Sequence, residues 1–340
     1  MRRILLFITL LITTHILTAQ ETTTLNKVVN TLKDRISLAG YVQTGYTYTD
    51  LGEGSNTFDI KRIIVMAEGK ITDKWLCYFM YNFAGGGSLL EAYTEYKFLP
   101  QLTVRAGQFK TMFSIENPMS PTTVELIDCY SQAVSYLSGF SNPLYESCGG
   151  RDMGLLVYGD LFGKLVRYNL AVMNGQGINV KDKNHQKDIV GNVMVNPLEW
   201  LSVGGSFIKG KGNAVKVSEV NPDIAVGDNY TRNRWALGAV VTTKPVALRT
   251  EYLAGKDGTI KSEGYYLTAC AHVLPKFDVI ASYDYLNKDK NTSAFKQTNY
   301  VAGVQYWFYP KCRVQAQYTY TNRHVGENYN TLQAQIQVRF

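Results

Sequence analysis

The sequence predicts an all-β protein: a transmembrane antiparallel β-barrel of about sixteen strands with one long loop folded inward as a constriction. Three observations predict this fold. Polar and apolar residues alternate along many segments of about ten residues. The connections between these segments alternate between short turns and long polar stretches. Charge is low, whereas tyrosine and glycine are abundant, with 24 Tyr and 29 Gly.

The composition excludes two other classes of protein. Charged residues make up 19% of the 340 residues, below the roughly 25% typical of soluble domains. Hydrophobic residues make up 45% and aromatic residues 12%, which is too much apolar surface for a disordered chain. Beyond the first twenty residues, no apolar run approaches the roughly 18 residues that a membrane-spanning helix needs. A helical membrane protein is therefore excluded too.

Residues 1–20 have the pattern of a secretory signal peptide. Arg2 and Arg3 precede an apolar run at 4–12, and Ala19 offers a small residue for cleavage. Removal of this segment lowers the net charge from +7 to +5, because it contains two arginines and no acid. The exported protein is mildly basic, but no basic run of five residues is present to support nucleic-acid binding.

Residues 21–35 are predicted to be a short N-terminal periplasmic segment ahead of the barrel. Apolar residues recur in it at helical intervals, at Leu25, Val28, Val29 and Leu32. This spacing fits a short helix at the barrel mouth. A disordered leader fits equally well, so both alternatives stay open.

The last ten residues show the period of a strand most clearly. Between 331 and 340, polar side chains at odd positions alternate with apolar side chains at even positions. Successive side chains leave opposite faces of a strand, so one face is polar and the other apolar. The same alternation appears at 311–320, 101–106 and 89–98. The terminal aromatic residue, Phe340, resembles the signal by which outer-membrane barrels are recognised for assembly.

Sixteen segments carry this pattern, some of them less regularly, and they make residues 36–340 a single barrel domain. Eight-stranded barrels are filled by side chains, whereas about sixteen strands leave an aqueous channel. The predicted strands lie near 36–49, 57–69, 74–83, 89–98, 101–109, 151–160, 164–173, 188–196, 200–209, 233–243, 246–255, 264–273, 276–286, 298–308, 311–321 and 331–340.

The connections favour a membrane barrel over a soluble sandwich. Short turns, such as those at Thr72-Asp73 and Pro100, alternate with long polar stretches. Outer-membrane barrels of Gram-negative bacteria have short periplasmic turns and long external loops, which a soluble sandwich has no reason to share. The long stretches are predicted at 50–56, 110–150, 174–187, 210–232, 256–263, 287–297 and 322–330, and only 84–88 is short where a long one is due.

The longest connection, at about 110–150, is predicted to be the constriction loop. It contains Pro118, Pro121 and Pro143, a helix-compatible run at 123–134 and many apolar residues. A forty-residue excursion in a compact fold is usually functional or disordered, and the apolar content argues against disorder. We expect it to fold into the lumen. The alternative is an extracellular lid or a contact between subunits.

Two motifs accompany the long loop: Phe58-Asp59-Ile60-Lys61-Arg62, and Arg105-Ala106-Gly107-Gln108-Phe109-Lys110 directly before it. Together with the loop they resemble the phosphate-selective outer-membrane porins (porin O and P). The resemblance in organisation covers nearly the whole mature chain. It implies a sixteen-stranded pore, a homotrimer in outer-membrane lipid, and passive conduction of small hydrophilic solutes with a preference for anions. It also implies that Lys61 and Arg62 contact the permeating anion and that Lys110 lies near the constriction.

Strand parity adds further basic side chains to the predicted pore lining. Rings of arginine or lysine are the usual means by which anion and phosphate pores attract their ions. The alternative is that these arginines merely pair with wall acids on neighbouring strands, namely Glu91, Glu95, Glu251 or Asp284. The arginines with lumen-facing parity are Arg105, Arg167, Arg234, Arg249 and Arg313.

The predicted constriction loop carries only negative charge. Between 111 and 150 the acids are Glu116, Glu125, Asp128 and Glu146, with no lysine or arginine. An acidic loop facing a basic wall would create a transverse field, as in general-diffusion porins, without binding one ion tightly. A non-selective general-diffusion porin is therefore the alternative to an anion channel.

Cysteine and histidine residues give weaker signals. Five cysteines follow the leader, and Cys129 and Cys148 are candidates for a loop-closing disulfide; unpaired cysteines in the wall and loop are the alternative. No C-x-x-C motif occurs, so we predict no metal site and no cofactor. His272 is the only histidine predicted near a strand end, and no serine or cysteine signature accompanies it. We therefore expect no enzyme. A non-conducting adhesive barrel is the other alternative.

Overall fold

A computed structural model describes residues 34–145 and 149–340. The predicted signal peptide, residues 21–33 of the N-terminal segment, Glu146 and Cys148 lie outside the described residues. Among the residues described, no helix is both long enough and apolar enough to cross a membrane.

The described residues form sixteen antiparallel strands that close into one barrel, as predicted. Each strand pairs with its neighbours along the chain, and the first pairs with the last. The strands are β1 (Ile36–Thr49), β2 (Ser55–Lys70), β3 (Trp75–Asn82), β4 (Ser88–Leu99), β5 (Leu102–Lys110), β6 (Arg151–Leu161), β7 (Val166–Met173), β8 (Asp188–Leu198), β9 (Leu201–Asn213), β10 (Asn229–Thr242), β11 (Val246–Asp257), β12 (Ile260–Leu274), β13 (Phe277–Asn287), β14 (Lys296–Tyr309), β15 (Cys312–Arg323) and β16 (Tyr329–Arg339).

The barrel closes through a regular ladder between β1 and β16. Gln43 lies opposite Gln337, and the pairing continues to Thr49 opposite Thr331. At the chain end, the Gly40 N–H donates to the Phe340 carbonyl at 3.0 Å, and the Phe340 N–H donates to the Gly40 carbonyl at 2.9 Å. None of the described strands has a free edge, which is what hydrocarbon requires because it offers no hydrogen-bonding partner.

The apolar face of the strands points out of the barrel, and the inner face is mostly polar except where the constriction loop packs against it. On β16, Gln333, Gln335 and Gln337 are almost completely buried, whereas Leu332 and Ile336 are about half exposed. This is the reverse of a soluble core. Apolar residues on the outside meet lipid, and glutamine side chains bond to one another and to the loop inside.

One predicted connection is wrong. The stretch at 256–263 is not a long loop, because β11 continues to Asp257 and β12 begins at Ile260. Gly258 adopts a φ of 59°, which suits the tight turn between them. The polar residues here belong to strands that continue past the apolar outer surface, so polarity at these positions does not mark a loop.

The connection between β5 and β6 folds into the lumen, as predicted. Its apolar residues pack against the inner wall: Phe113, Val134 and Leu137 join Leu156 and Met173 in one buried cluster. The inside of the barrel is therefore filled on one side by the loop, and a packed core holds the loop in place.

The helix of this loop is shorter and later than predicted. The helix α1 spans Gln132–Leu137, with Ser131 as its N-cap, whereas the run predicted at 123–134 is mostly turns. Arg313 donates to the carbonyl of Val124 at 2.8 Å, and Gln315 donates to the carbonyl of Glu125 at 2.9 Å. These carbonyls bond to the wall and are not available to a helix.

Candidate pore and constriction

The first turn of the constriction loop is held by one carboxylate of the wall. Glu251 on β11 accepts hydrogen bonds from the Ser114 hydroxyl at 2.6 Å and from the Ile115 N–H at 2.7 Å. The Tyr266 hydroxyl donates to the same carboxylate at 2.8 Å. Ser114 has a φ of 69°, so the chain turns sharply where it meets this acid. Glu251 therefore holds the loop and does not pair with an arginine.

A second wall carboxylate holds the start of α1. Asp284 on β13 accepts from the Gln132 N–H at 2.7 Å, and the Gln132 side chain donates back to the Asp284 carbonyl at 2.7 Å. Glu116, earlier in the loop, accepts from the Ser131 N–H at 2.8 Å. The two acids satisfy N–H groups that a helix leaves unpaired at its start.

Arg249 joins two of the predicted loop acids. Its Nη2 lies 3.1 Å from Glu116 Oε1 and 2.5 Å from Glu125 Oε2. Arg249 and Glu116 are both buried. Burial raises the pKa of Glu116 to about 7, and Arg249 and the Ser131 N–H offset this only in part. Two of the four loop acids therefore fasten the loop to β11.

Lys61 and Arg62 both turn inward because β2 contains a β-bulge at this point. Arg62 lies opposite Gln43 and Ile60 opposite Thr44, so Lys61 is the extra residue. Lys61 Nζ lies 3.0 Å from Asp128 Oδ1 in the loop, and Arg62 donates to Gln43 at 2.9 Å. Adjacent residues of a regular strand would face opposite ways.

Lys110 and Arg313 bind loop backbone and line little free space. Lys110 donates to the carbonyls of Asn117, at 2.9 Å, and Met119. Arg313 donates to the carbonyls of Pro121 at 3.2 Å and Val124 at 2.8 Å. Both side chains are almost completely buried. Both therefore fasten the loop to the wall through its backbone carbonyls.

Arg234 is also occupied by a structural partner. It makes a two-pronged ion pair with Asp257, with Nη2 to oxygen distances of 2.7 and 2.9 Å, and donates to the Leu137 carbonyl at 3.2 Å. Its neighbour on the same face, Arg232, pairs with Asp188 at 2.5 Å. The sequence pattern does not predict Arg232 as a wall residue, because it predicts that β10 begins at residue 233, whereas the strand begins at Asn229.

An open part of the lumen lies on the opposite side, along β5 to β8. A cavity of about 310 Å³ separates the wall from the loop there. Arg105 has its guanidinium 4.0 Å from the Tyr93 ring centre and pairs with Glu95 at 2.7 Å. Arg167 is half exposed, with Asp160 at 3.8 Å. The cavity lining includes Arg105, Tyr158 and Arg167 from the wall and Met112, Ile115 and Pro118 from the loop.

The predicted basic residues therefore divide into two groups. All of them have the inward orientation that parity and the resemblance gave them, but only Arg105 and Arg167 border the cavity. The pairing of wall arginines with wall acids holds for Arg105 with Glu95. Among the four wall acids considered, Glu91 pairs instead with Arg151 at 3.0 Å. Glu251 and Asp284 bind the loop.

The candidate disulfide stays a prediction. Cys129 is buried and carries a free thiol, and burial raises the pKa of that thiol. Its proposed partner, Cys148, lies outside the described residues, as does the loop acid Glu146.

Comparison with known families assigns the chain. The sequence model of the family described as "Gram-negative porin" matches residues 134–325, more than half of the chain. The chain belongs to the Gram-negative porin family. A second family model, "Phosphate-selective porin O and P", matches residues 47–141 of the porin, which include Lys61, Arg62 and most of the constriction loop. Comparison with curated proteins finds no match.

Solved structures share the fold of this porin at low sequence identity. The anion-selective porin from Comamonas acidovorans is 15% identical with a TM-score of 0.70, and the alignment covers 90% of this chain and 99% of that one. The trimer form of OmpT from Vibrio cholerae is 12% identical with a TM-score of 0.65, covering 90% and 99%. Salmonella typhi OmpF, in complex with daunomycin, is 13% identical with a TM-score of 0.64, covering 90% and 97%.

Fold and family together give the general function. The protein is an outer-membrane porin, and its closed sixteen-stranded barrel forms a channel for small solutes. The loop between β5 and β6 forms the constriction of that channel.

Proposed function

We propose that this porin conducts anions in preference to cations, with phosphate-type anions among its solutes. One observation carries the proposal. Of the described residues that line the open cavity, Arg105 and Arg167 are the only charged ones. The loop acids Glu116 and Glu125 are turned towards Arg249 on the other side of the barrel. The passage between wall and loop is thus bordered by two positive charges, and these two loop acids do not face it.

The chemistry of the two arginines suits this role. A guanidinium stays charged at any physiological pH, and its planar fork matches carboxylate and phosphate oxygens. Arg167 is half exposed, and the Tyr158 ring lies 5.6 Å from its guanidinium. An anion that passes can exchange part of its hydration shell for these N–H groups. In this proposed channel, passage is passive and involves no enzymatic step and no cofactor.

A general-diffusion porin is the second candidate, and a specific observation favours it. Glu95 lies 2.7 Å from Arg105, and Asp160 lies 3.8 Å from Arg167, so nearby carboxylates partly offset both charges. If this compensation were complete, the channel would show little preference for either sign of ion.

We also propose that the porin forms a homotrimer. The similarity to the trimer form of OmpT supports the same assembly here. Native mass spectrometry in mild detergent tests it. A mass of three chains is expected, and a monomer at all concentrations would contradict it.

The test of selectivity is the reversal potential in a planar bilayer. The purified porin is expected to open channels whose reversal potential across a tenfold KCl gradient has the sign of chloride preference. Added phosphate should reduce the chloride current. A reversal potential near zero without phosphate block would favour the general-diffusion porin. Insertion without any conductance would favour a non-conducting adhesive barrel.

A further inference from the structure

Three metal-binding side chains meet on the inner wall, where the cavity described above does not reach. Cys270 and His272 lie on the inner face of β12, and Asp278 lies opposite His272 on β13. The sulfur, one imidazole nitrogen and one carboxylate oxygen all lie within 4.8 Å of one another. This set has no linear zinc motif, because the hairpin turn separates Asp278 from the other two residues.

The carboxylate of this cluster is held in a fixed orientation. Asp278 Oδ2 accepts from the Gln305 side chain at 2.7 Å and from the Trp307 indole at 2.8 Å. Its other oxygen therefore faces His272, whose Nδ1 lies 2.7 Å away. Outer hydrogen bonds of this kind are what orient the ligands of metal sites. Cys270 is buried, whereas the His272 side chain is 41% exposed, so the cluster is reached from water on one side.

We propose that Cys270, His272 and Asp278 form a three-ligand site for a zinc-like divalent cation. Thiolate, imidazole and carboxylate are the ligands that zinc takes, and three protein ligands leave a fourth position for water. A site that holds one dication, one thiolate and one carboxylate is electrically neutral as a whole. Binding releases the thiol proton of Cys270 to solvent, so affinity increases with pH.

The test is metal binding by the full-length porin in detergent. Equilibrium dialysis is expected to give one Zn²⁺ per chain, and Co²⁺ in its place should give a thiolate charge-transfer band. Cys270→Ser should remove that band and weaken binding at least tenfold. Cys312→Ser is the matched control, because Cys312 is also a buried free cysteine of the wall, and it should leave both unchanged.

The proposal would be overturned by the absence of a thiolate band with Co²⁺, or by equal losses in the Cys270→Ser and Cys312→Ser variants. His272→Ala serves as a second variant, since its half-exposed ring can be removed with little effect on packing. The migration of unheated samples in gels shows whether each variant is folded. A folded His272→Ala protein that binds zinc as tightly as the native porin would also contradict the site.

A different observation carries a second inference, on the outer surface. Lys209, Asn233, Lys256 and Lys261 occupy one cross-strand row on β9 to β12: Lys209 pairs with Asn233, Asn233 with Lys256, and Lys256 with Lys261. The three lysines are exposed and alternate with inward-facing neighbours. Lys256 and Lys261 are direct neighbours of like charge, an arrangement that destabilises a sheet unless an anion offsets it.

The position of this row relative to the aromatic surface indicates the partner. Phe207 and Trp235 lie opposite each other two residues closer to the periplasmic end, and the Trp235 ring lies 5.3 Å from that of Tyr252. Outward aromatic residues mark the membrane interface of such barrels. At about 3.3 Å per residue, the lysine row lies about 7 Å beyond them towards the external loops, at the depth of lipid headgroups.

We infer that the lysine row, defined as Lys209, Lys256 and Lys261, binds phosphorylated headgroups of outer-leaflet lipid. Among the described residues, no carboxylate lies within 4.0 Å of these three ammonium groups; the nearby Glu263 pairs with Lys290 at 2.6 Å. The adjacent ammonium groups of Lys256 and Lys261, with Lys209 two strands away in the same row, match the charge of a phosphorylated headgroup.

Lipid binding by the purified porin tests this inference. Lipid A in mixed micelles should bind more tightly than phosphatidylethanolamine, and Lys256→Gln/Lys261→Gln should weaken that binding at least fivefold. Lys74→Gln/Lys276→Gln makes the same charge change at exposed periplasmic turns and should have no effect. Equal weakening by both double variants would contradict the inference. Displacement of lipid A by millimolar inorganic phosphate alone would also contradict it. The same holds if Lys256→Gln/Lys261→Gln lost a contact between subunits.

Discussion

Arg249 shows how much of the charge inside this barrel is structural. Its guanidinium binds Glu116 and Glu125 at once, and all three groups are largely withdrawn from water. Replacing it with a neutral residue would leave two carboxylates without a cation. Such unpaired buried charges are far more costly than the net value of the pair itself.

Arg249→Gln is therefore expected to destabilise the porin by about 3–5 kcal/mol, the usual cost of breaking a buried ion pair from one side. Urea unfolding in detergent, followed by tryptophan fluorescence, measures the change. Arg167→Gln is the matched control, because the half-exposed Arg167 has only a loose partner, and about 0.5 kcal/mol or less is expected for it. Equal losses in the two variants would contradict the division into loop-binding and cavity-lining arginines.

The buried carboxyl of Glu116 should make stability depend on pH. Its pKa is raised from 4.5 to about 7, so the native state holds this proton more tightly than the unfolded chain does. The contribution of Glu116 to the free energy of unfolding then falls as pH rises from about 4.5 to about 7 and is level above. Urea midpoints between pH 5 and pH 8 should show this fall, and Glu116→Gln should reduce it. An unchanged slope in the variant would be inconsistent with a raised pKa.

At the residue scale, the position of an arginine in a strand predicts that its side chain points inward, but not whether the loop or an acid binds it. Every selected arginine faces inward, since side-chain direction follows from the period of a strand. Whether an inward arginine is free depends on where the loop lies, and that is decided by contacts distant in sequence, such as Glu251 with Ser114. Lys61 and Arg62 face the same way only because of a bulge. Strand alternation does not predict that bulge. The family resemblance does suggest that both side chains face the lumen.

At the element scale, the constriction loop is a packed unit and not a flexible flap. Polar wall groups bind its backbone, and its apolar side chains form a core with the wall. This core explains how a forty-residue connection with no long helix keeps one path across the lumen. The size of the open cavity therefore depends on residues that never touch a solute.

Phe113→Ala tests the packing of this loop. Phe113 is fully buried against the wall, so its truncation is expected to cost about 3–5 kcal/mol. Because the loop loses support beside the cavity, single-channel conductance should become larger and noisier than in the native porin. Phe113→Leu, which keeps most of the volume, should show smaller changes in both. A stable Phe113→Ala protein with native conductance would indicate that the loop is held by its polar contacts alone.

The elements themselves were predicted well where the period is strong. All sixteen strands appear close to their predicted bounds, because alternation at period two is a local signal. The errors lie where tertiary contacts compete with local preference. The run at 123–134 has helical character, but its carbonyls bond to Arg313 and Gln315 of the wall. At 256–263 the polar composition predicts a loop, but these residues belong to strands that continue beyond the membrane.

At the scale of the whole molecule, closure of the barrel depends on close contact between the two ends of the chain. A Cβ atom on Gly40 would lie 2.5 Å from the ring of Phe340 and 2.6 Å from the Ile64 carbonyl. The carbonyl is part of the sheet and cannot move aside. At Gly40, therefore, β1 packs closely against both β2 and Phe340.

Gly40→Val should impair closure, because its side chain has no space between the two neighbours. The expected result is a large loss of the fast-migrating folded form in unheated gels after refolding. Gly69→Ala on the adjacent strand is the control, since a Cβ there meets nothing within 4 Å, and it should refold normally. If both variants refolded equally well, the close packing at the C-terminus would not be essential for closure.

The most direct test asks which charged side chains determine the ion selectivity of the channel. Arg105→Gln/Arg167→Gln and the charge-balanced Lys61→Gln/Asp128→Asn should be compared by reversal potential across a tenfold KCl gradient. Because only the first pair borders the cavity, we expect Arg105→Gln/Arg167→Gln to abolish chloride preference and the other variant to retain it. The account would be contradicted if Arg105→Gln/Arg167→Gln retained the chloride preference and Lys61→Gln/Asp128→Asn lost it. The ions would then pass the loop at another place.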